Sequence, residues 1–207
     1  MPEWTLIKKK EANANVDKIV ESAKVHILEK PDGKHIIIKI QNAENVKDKS
    51  AVIVTSPRKG ITSALLKKAA SMLESHPFFV SFFDSVPLDE YYIHAIFYGG
   101  DFSEDKEMYT QEAFSILCIE VIDHNTKGYK VGDFKMTQKF LIDTGLKSLG
   151  MYNAELPILH SGKPDMRKVD TAGNLSKLSI NGEGIGAFIV CDPIYHVMTG
   201  ELMIFES

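Results

Sequence analysis

The amino-acid sequence predicts an α+β fold, with a largely antiparallel (mixed) sheet and about three to four helices in a single domain that spans residues 1–207. Strand-like segments arrive mostly in pairs, and helical patterns follow the early, middle and later groups of strands instead of alternating with single strands. The composition is globular, because 44% of the residues are hydrophobic and 25% are charged. A chain of 207 residues can bury a core without disulfides or metals.

The first elements are predicted to be a helix and a hairpin. Residues 15–24, NVDKIVESAK, repeat apolar side chains at helical spacing, and asparagines stand before them as caps. Residues 25–41 then predict two paired strands joined at Pro31-Asp32-Gly33. Proline presets φ, aspartate bonds back to the backbone and glycine accepts a positive φ, which together are typical of a tight turn.

A strand, a glycine-containing loop and a long helix follow in residues 51–73. The apolar run 51–54 is predicted to be a strand, and SPRKG breaks it. Apolar side chains at helical spacing then predict a helix with a buried stripe: Ile61, Ala64, Leu65, Ala69, Met72 and Leu73.

The remaining elements are mainly strands. Residues 78–85 and 91–100 are rich in aromatic and β-branched residues, and residues 111–129 favour a strand followed by a tight turn. A helix is expected near residues 137–150. Three strand candidates close the chain at residues 175–180, 185–190 and 201–207. Asn181-Gly182 favours a hairpin turn between the first two.

The strand–loop–helix at residues 56–63 predicts an anion site. A helix N-terminus offers unpaired N–H groups and partial positive charge, and the loop before it adds two cations and a glycine that admits close approach. A long polar segment, residues 160–174, could close over the same anion as a lid, or be a surface loop. The predicted ligands are Arg58, Lys59, Gly60, Thr62, Ser63, His160 and Lys163. The spacing matches no Walker A loop, and an ordinary strand-to-helix connection is the alternative.

Metal and cofactor sites are not predicted. The acidic segment 101–112 places Asp101, Ser103, Asp105, Glu107 and Glu112 at calcium-loop spacing, but Lys106 stands where such a loop needs glycine. A helix capped by Ser103 explains the same residues. The seven histidines form no zinc pattern with each other or with cysteine. No cofactor is therefore expected.

Location and disulfides follow from the apolar segments. No run approaches the length of a membrane span, and the first residues lack the apolar core of a signal peptide, so we expect a cytoplasmic protein without membrane contact. Cys118 and Cys191 each lie inside an apolar run, which predicts buried thiols in a reducing compartment.

The net charge of −4 is unevenly spread, with basic residues in excess before residue 60 and acidic residues in excess after it. An acidic majority without aromatics among the cations predicts no nucleic-acid binding. Aromatic strands and a polarised charge favour a binding or regulatory module that contacts an unknown protein partner or self-associates as a homo-oligomer. The alternative is a small-molecule enzyme or sensor that binds a phosphorylated ligand at residues 56–63.

Overall fold

The structure is a computed structural model in which two compact units each contain one antiparallel sheet. One unit draws on Met1–Asp32 and Leu156–Ser207, and the other on Gly33–Glu155. The residues that the structure describes are 16–40, 52–55, 61–74, 90–109, 111–123, 128–131, 156, 158–170, 184–195 and 202–206. The α+β class with antiparallel sheets is confirmed, whereas the single domain stays a prediction.

Within the described residues the chain forms three α-helices and nine strands. In order, they are α1 (Val16–Val20), β1 (Lys24–Pro31), β2 (Gly33–Ile40), β3 (Val52–Thr55), α2 (Ser63–Glu74), β4 (Glu90–Tyr98), β5 (Ala113–Asp123), β6 (Gly128–Val131), β7 (Ile158–Gly162), α3 (Met166–Asp170), β8 (Gly184–Tyr195) and β9 (Leu202–Glu206). A short 3-10 helix, Gly100–Phe102, follows β4.

The first unit is built on a four-stranded sheet in the order β7-β1-β8-β9. Because side chains alternate between the faces of a strand, one face of β1 carries Val25 and Ile27 and the other carries His26, Leu28 and Lys30. The first face forms an apolar core with α1, β8 and β9, to which Ile19, Ile189 and Phe205 contribute. The second face is also largely buried, and it holds the charged residues described below.

The second unit is built on a five-stranded sheet in the order β3-β2-β4-β5-β6. Phe97 of β4 is fully buried, and its ring centroid lies 5.3 Å from those of both Phe102 and Phe114. The predicted helix is confirmed as α2, which buries Ala69 and Leu73, while Ala64 of the predicted stripe is exposed. The predicted strands at 91–100 and in 111–129 are confirmed as β4 and β5, and a further strand that was not predicted, β6, pairs with β5.

The predicted hairpin between β1 and β2 is wrong. Strand β1 pairs with β7 and β8, and β2 pairs with β3 and β4, so the two strands belong to different sheets. Gly33 does not adopt a left-handed turn. A Cβ added there would lie 2.3 Å from the carbonyl oxygen of Phe97, so this glycine permits close approach of β4. The Pro31-Asp32-Gly33 segment therefore carries the chain from one sheet to the other.

Two further expectations are corrected. Residues 160–170 are not a structureless loop, because β7 and α3 occupy most of them. Ser103 does not cap a helix; its hydroxyl oxygen accepts a 2.7 Å hydrogen bond from the N–H of Gly99.

The predicted elements at 78–85, 137–150 and 175–180 and the turn at Asn181-Gly182 lie outside the described residues. No helix in the described part of the chain is long and apolar enough to span a membrane.

The Cys191 thiol is buried, as predicted, and burial raises its pKa to about 11. A thiol held in its neutral form reacts slowly, because the thiolate is the nucleophile. We expect Cys191 to resist iodoacetamide at neutral pH in the native protein and to react when the protein is unfolded in denaturant.

Thermal melts with and without dithiothreitol should coincide; a melting temperature several degrees lower in reductant would indicate a disulfide.

Candidate functional site

The described part of the predicted anion site is the start of α2. Thr62 caps this helix, since its Oγ1 accepts a 3.3 Å hydrogen bond from the N–H of Leu65. Thr62 and Ser63 are both exposed. Arg58, Lys59 and Gly60 lie outside the described residues, so the anion site stays a prediction.

The other two predicted anion ligands lie in the first unit. His160 is a residue of β7, and its Nδ1 accepts a 3.1 Å hydrogen bond from the Lys168 ammonium. Its Nε2 is buried and has no hydrogen-bond partner among the described residues. Lys163 follows β7 and is exposed. A lysine bonded to Nδ1 leaves the imidazole proton on Nε2, which makes His160 a donor on that side.

Lys30, which is not among the predicted ligands, lies in a charged site of the first unit. Its Nζ lies 3.3 Å from the Oε2 of Glu206, and the two side chains are only 15% and 2% exposed. The same Nζ lies 5.9 Å from the ring centroid of Phe188. Gly186 is the register partner of Lys30 and places no side chain on this face. The lysine side chain can therefore extend across β8 towards β9.

Glu29 precedes this lysine and points to the opposite face of β1. It is 5% exposed, and its Oε2 has no hydrogen-bond partner within the described part of the chain. The sequence signal for this site is a pair of adjacent charged residues, Glu29 and Lys30. They follow directly after four residues of β1 that are buried in the structure. Charged residues are rarely buried unless they are paired or functional, so Glu29 and Lys30 indicate a site and not only the end of a strand.

A second polar pair joins β7 to β1 on the Lys30 face. The Ser161 hydroxyl lies 2.9 Å from the Nδ1 of His26, which is 6% exposed. Burial lowers the pKa of His26 below 6.5, and this outweighs the opposing charge of Asp192. His26 is therefore neutral at pH 7.

The pKa of His26 predicts a pH effect on stability. Because the folded protein holds this histidine neutral, the unfolded chain binds more protons once the pH falls below 6.5. We expect the contribution of His26 to be complete above that pH and to be lost on acidification, by at most about 1.4 kcal/mol per pH unit. Denaturant titrations of wild type and His26→Gln between about pH 7 and pH 5 check this. An equal loss of stability in both proteins would contradict it.

In the second unit, cations occupy the acidic segment that has calcium-loop spacing. Lys68 of α2 donates to Asp101 at 2.9 Å and to Glu112, and Lys106 donates to Asp101 at 2.9 Å. Lys106 and then Lys68 lower the pKa of Asp101 to about 2. We expect calorimetric titration to detect no micromolar calcium binding, since two ammonium groups already neutralise the first carboxylate of the loop. A micromolar dissociation constant would contradict this.

Metal ligands are not assembled in the described residues, where no group of three or more His, Cys, Asp or Glu side chains could hold a metal ion.

Comparisons with known proteins identify the fold. No family model and no curated protein matches the sequence. Among solved structures, a Naegleria gruberi RNA ligase variant with AMP and Mn matches with a TM-score of 0.58 and 12% identity, over 97% of this chain and 54% of the ligase. The fold is similar to that of RNA ligases. Another Naegleria gruberi RNA ligase variant, with ATP and Mn, matches at 0.57 and 16% identity, over 100% of this chain and 56% of that one.

An archaeal ATP-dependent RNA ligase matches with a TM-score of 0.54 and 13% identity, over 100% of this chain and 47% of the ligase. The chain thus spans about half the length of the RNA ligases that it resembles. At these identities the likeness shows the fold.

Two predictions are corrected by the RNA ligase-like fold. The prediction of a binding or interaction module is contradicted, because the fold is similar to that of RNA ligases, one of which is ATP-dependent. The prediction that excluded nucleic acid is also contradicted, since the similar proteins are RNA ligases. The net charge is a poor guide to nucleic-acid binding, because an overall acidic balance does not report the local charge of one face.

Proposed function

We propose that this chain is a nucleotide-binding enzyme that transfers a nucleotidyl group from ATP and acts on RNA ends. The observation that carries the proposal is the fold, which is similar to ATP-dependent RNA ligases over 97–100% of this chain. Variants of the Naegleria gruberi ligase have been solved with ATP or AMP, and in three of them a lysine is replaced. We place the activity in the cytoplasm, as the sequence predicts.

Lys30 is our candidate for the group that meets the nucleotide. Its amine is largely shielded from water, and lysine amines are among the side chains that form covalent intermediates. In the proposed step, the neutral Nζ attacks the α-phosphorus of ATP, the bond to the β-phosphate breaks, pyrophosphate leaves and one proton is released. The product is a phosphoramide bond between Lys30 and AMP.

The start of α2 remains a second proposed contact for a phosphate. Arg58, Lys59, Gly60, Thr62 and Ser63 supply cations, amides and hydroxyls, as the sequence predicts. His160 and Lys163 stay proposed as further ligands of an anion.

Manganese accompanies the nucleotide in several of the similar structures. The described residues of this chain do not assemble a cluster that would hold it, so we derive no step through a metal.

Calorimetric titration with ATP tests the proposal. Wild-type protein is expected to bind ATP and to gain about 2.7 kcal/mol of stability when ATP is a hundredfold above its dissociation constant. Lys30→Met should lose most of the affinity, whereas Lys24→Met, an exposed position on the same strand, should retain it. The titrations are run at a temperature at which each variant stays folded.

A double variant, Arg58→Ala with Lys59→Ala, tests the loop before α2. If the loop holds a phosphate, this variant should lose the stabilisation by ATP and keep its unliganded melting temperature, as expected if these two loop cations are solvated, as the sequence predicts. An ATP shift equal to that of wild type would remove the loop from the site. Wild-type protein that does not bind ATP would overturn the proposed function.

A further inference from the structure

The Lys30–Glu206 pair joins strands β1 and β9 of the first-unit sheet across an intervening strand. Lys30 lies on β1 and Glu206 on β9, and β8 runs between them. The pair therefore forms only because the long lysine side chain passes Gly186, which has no side chain to obstruct it. Phe188, the register partner of Glu206, lies beneath the ammonium on the same face.

The Lys30 ammonium lies close to two groups that attract a cation. The carboxylate of Glu206 is almost fully buried and lies within charge-assisted hydrogen-bond range. The ring face of Phe188 adds a cation–π attraction. Glu29 cannot share this role, because adjacent residues of a strand point to opposite faces.

We propose that Glu206 is a positioning residue for Lys30. The Glu206 carboxylate holds the Lys30 ammonium over Phe188 in the ligand-free protein, and the phosphate of an anionic ligand must displace this carboxylate. This inference rests on the proposed function for the identity of the ligand, but the hold on Lys30 is a property of the free protein. An ammonium bound to a carboxylate has no free lone pair, so Glu206 also suppresses the reactivity of Lys30 in that state.

Competitive acetylation measures how strongly Glu206 restrains the Lys30 amine, and it needs no nucleotide. Acetic anhydride modifies neutral amines, and peptide mass spectrometry can give the rate at Lys30 relative to Lys24, an exposed lysine on the same strand. In Glu206→Gln this ratio is expected to rise by about tenfold, the factor for losing a hydrogen bond between charged groups. An unchanged ratio would overturn the proposal.

Glu206→Asp provides a second variant that keeps the charge. Its side chain is one methylene shorter, so the contact lengthens while the charge balance of the face is preserved. We expect a smaller rise in the Lys30 to Lys24 ratio than in Glu206→Gln. Circular dichroism and thermal melts establish that each variant is folded. A ratio in Glu206→Asp equal to or above that of Glu206→Gln would contradict a role for the carboxylate contact.

ATP titrations of the same variants test the competition. If a phosphate must displace Glu206, Glu206→Gln should bind ATP several-fold more tightly than wild type. An equal or weaker affinity would overturn the competition. If no protein in the series binds ATP but the acetylation ratio still rises, the hold on Lys30 stands and the proposed function fails.

Discussion

Replacing Phe97 by alanine is expected to lower the free energy of unfolding by about 3–5 kcal/mol, the range for deleting a buried aromatic side chain. Phe97 is fully buried on β4, and its ring packs on both Phe102 and Phe114 at 5.3 Å between centroids. The loss combines the transfer free energy of the ring with the cavity that it leaves. Urea titration of both proteins at constant pH measures the change.

Phe97→Leu is the matched control. It keeps most of the apolar volume, so its cost should stay below about 1.5 kcal/mol. If Phe97→Ala lost no more than this control, the ring would not lie in a closely packed core, and the description of the second unit would be wrong at this position.

Replacing Lys30 by methionine is expected to cost about 3–5 kcal/mol, because it removes one partner of a buried ion pair. The Glu206 carboxylate, which is 2% exposed, would lose the ammonium that faces it. Lys24→Met on the same strand should change stability by less than about 0.5 kcal/mol, since an exposed side chain contributes little.

A double variant tests whether Lys30 and Glu206 contribute to stability as a coupled pair. Lys30→Met with Glu206→Leu replaces both charges by apolar groups, which is often neutral or stabilising for buried pairs. We expect the double variant to recover most of the stability lost in Lys30→Met. If the two single losses were simply additive, Lys30 and Glu206 would not be coupled, and the pair could not control the amine.

Local patterns predicted the elements whose signals lie within one segment. The helical spacing of Ala69 and Leu73 was sufficient for α2, and the β-branched tail of residues 111–129 for β5. These patterns succeed because one buried face imposes a period on the sequence.

Patterns that depend on distant partners could not be predicted. Turn chemistry at Pro31-Asp32-Gly33 indicated a hairpin, but the neighbours on both sides of β1 and of β2 come from other parts of the chain. Lys30 and Glu206 are separated by 176 residues in the sequence, so only the sheet order brings them together. No local pattern links Lys30 to Glu206, and the predicted phosphate ligands came mainly from the basic loop before α2.

Transfer of AMP to the protein is the most direct measurement of the central claim. Wild-type protein incubated with ATP and a divalent cation should gain the mass of one AMP, with the addition mapped to Lys30 by peptide mass spectrometry. Lys30→Met should remain unmodified, and Lys24→Met should be modified like wild type. If wild-type protein neither binds ATP nor acquires AMP, or if Lys30→Met is modified as fully as wild type, the proposed role of this site is contradicted.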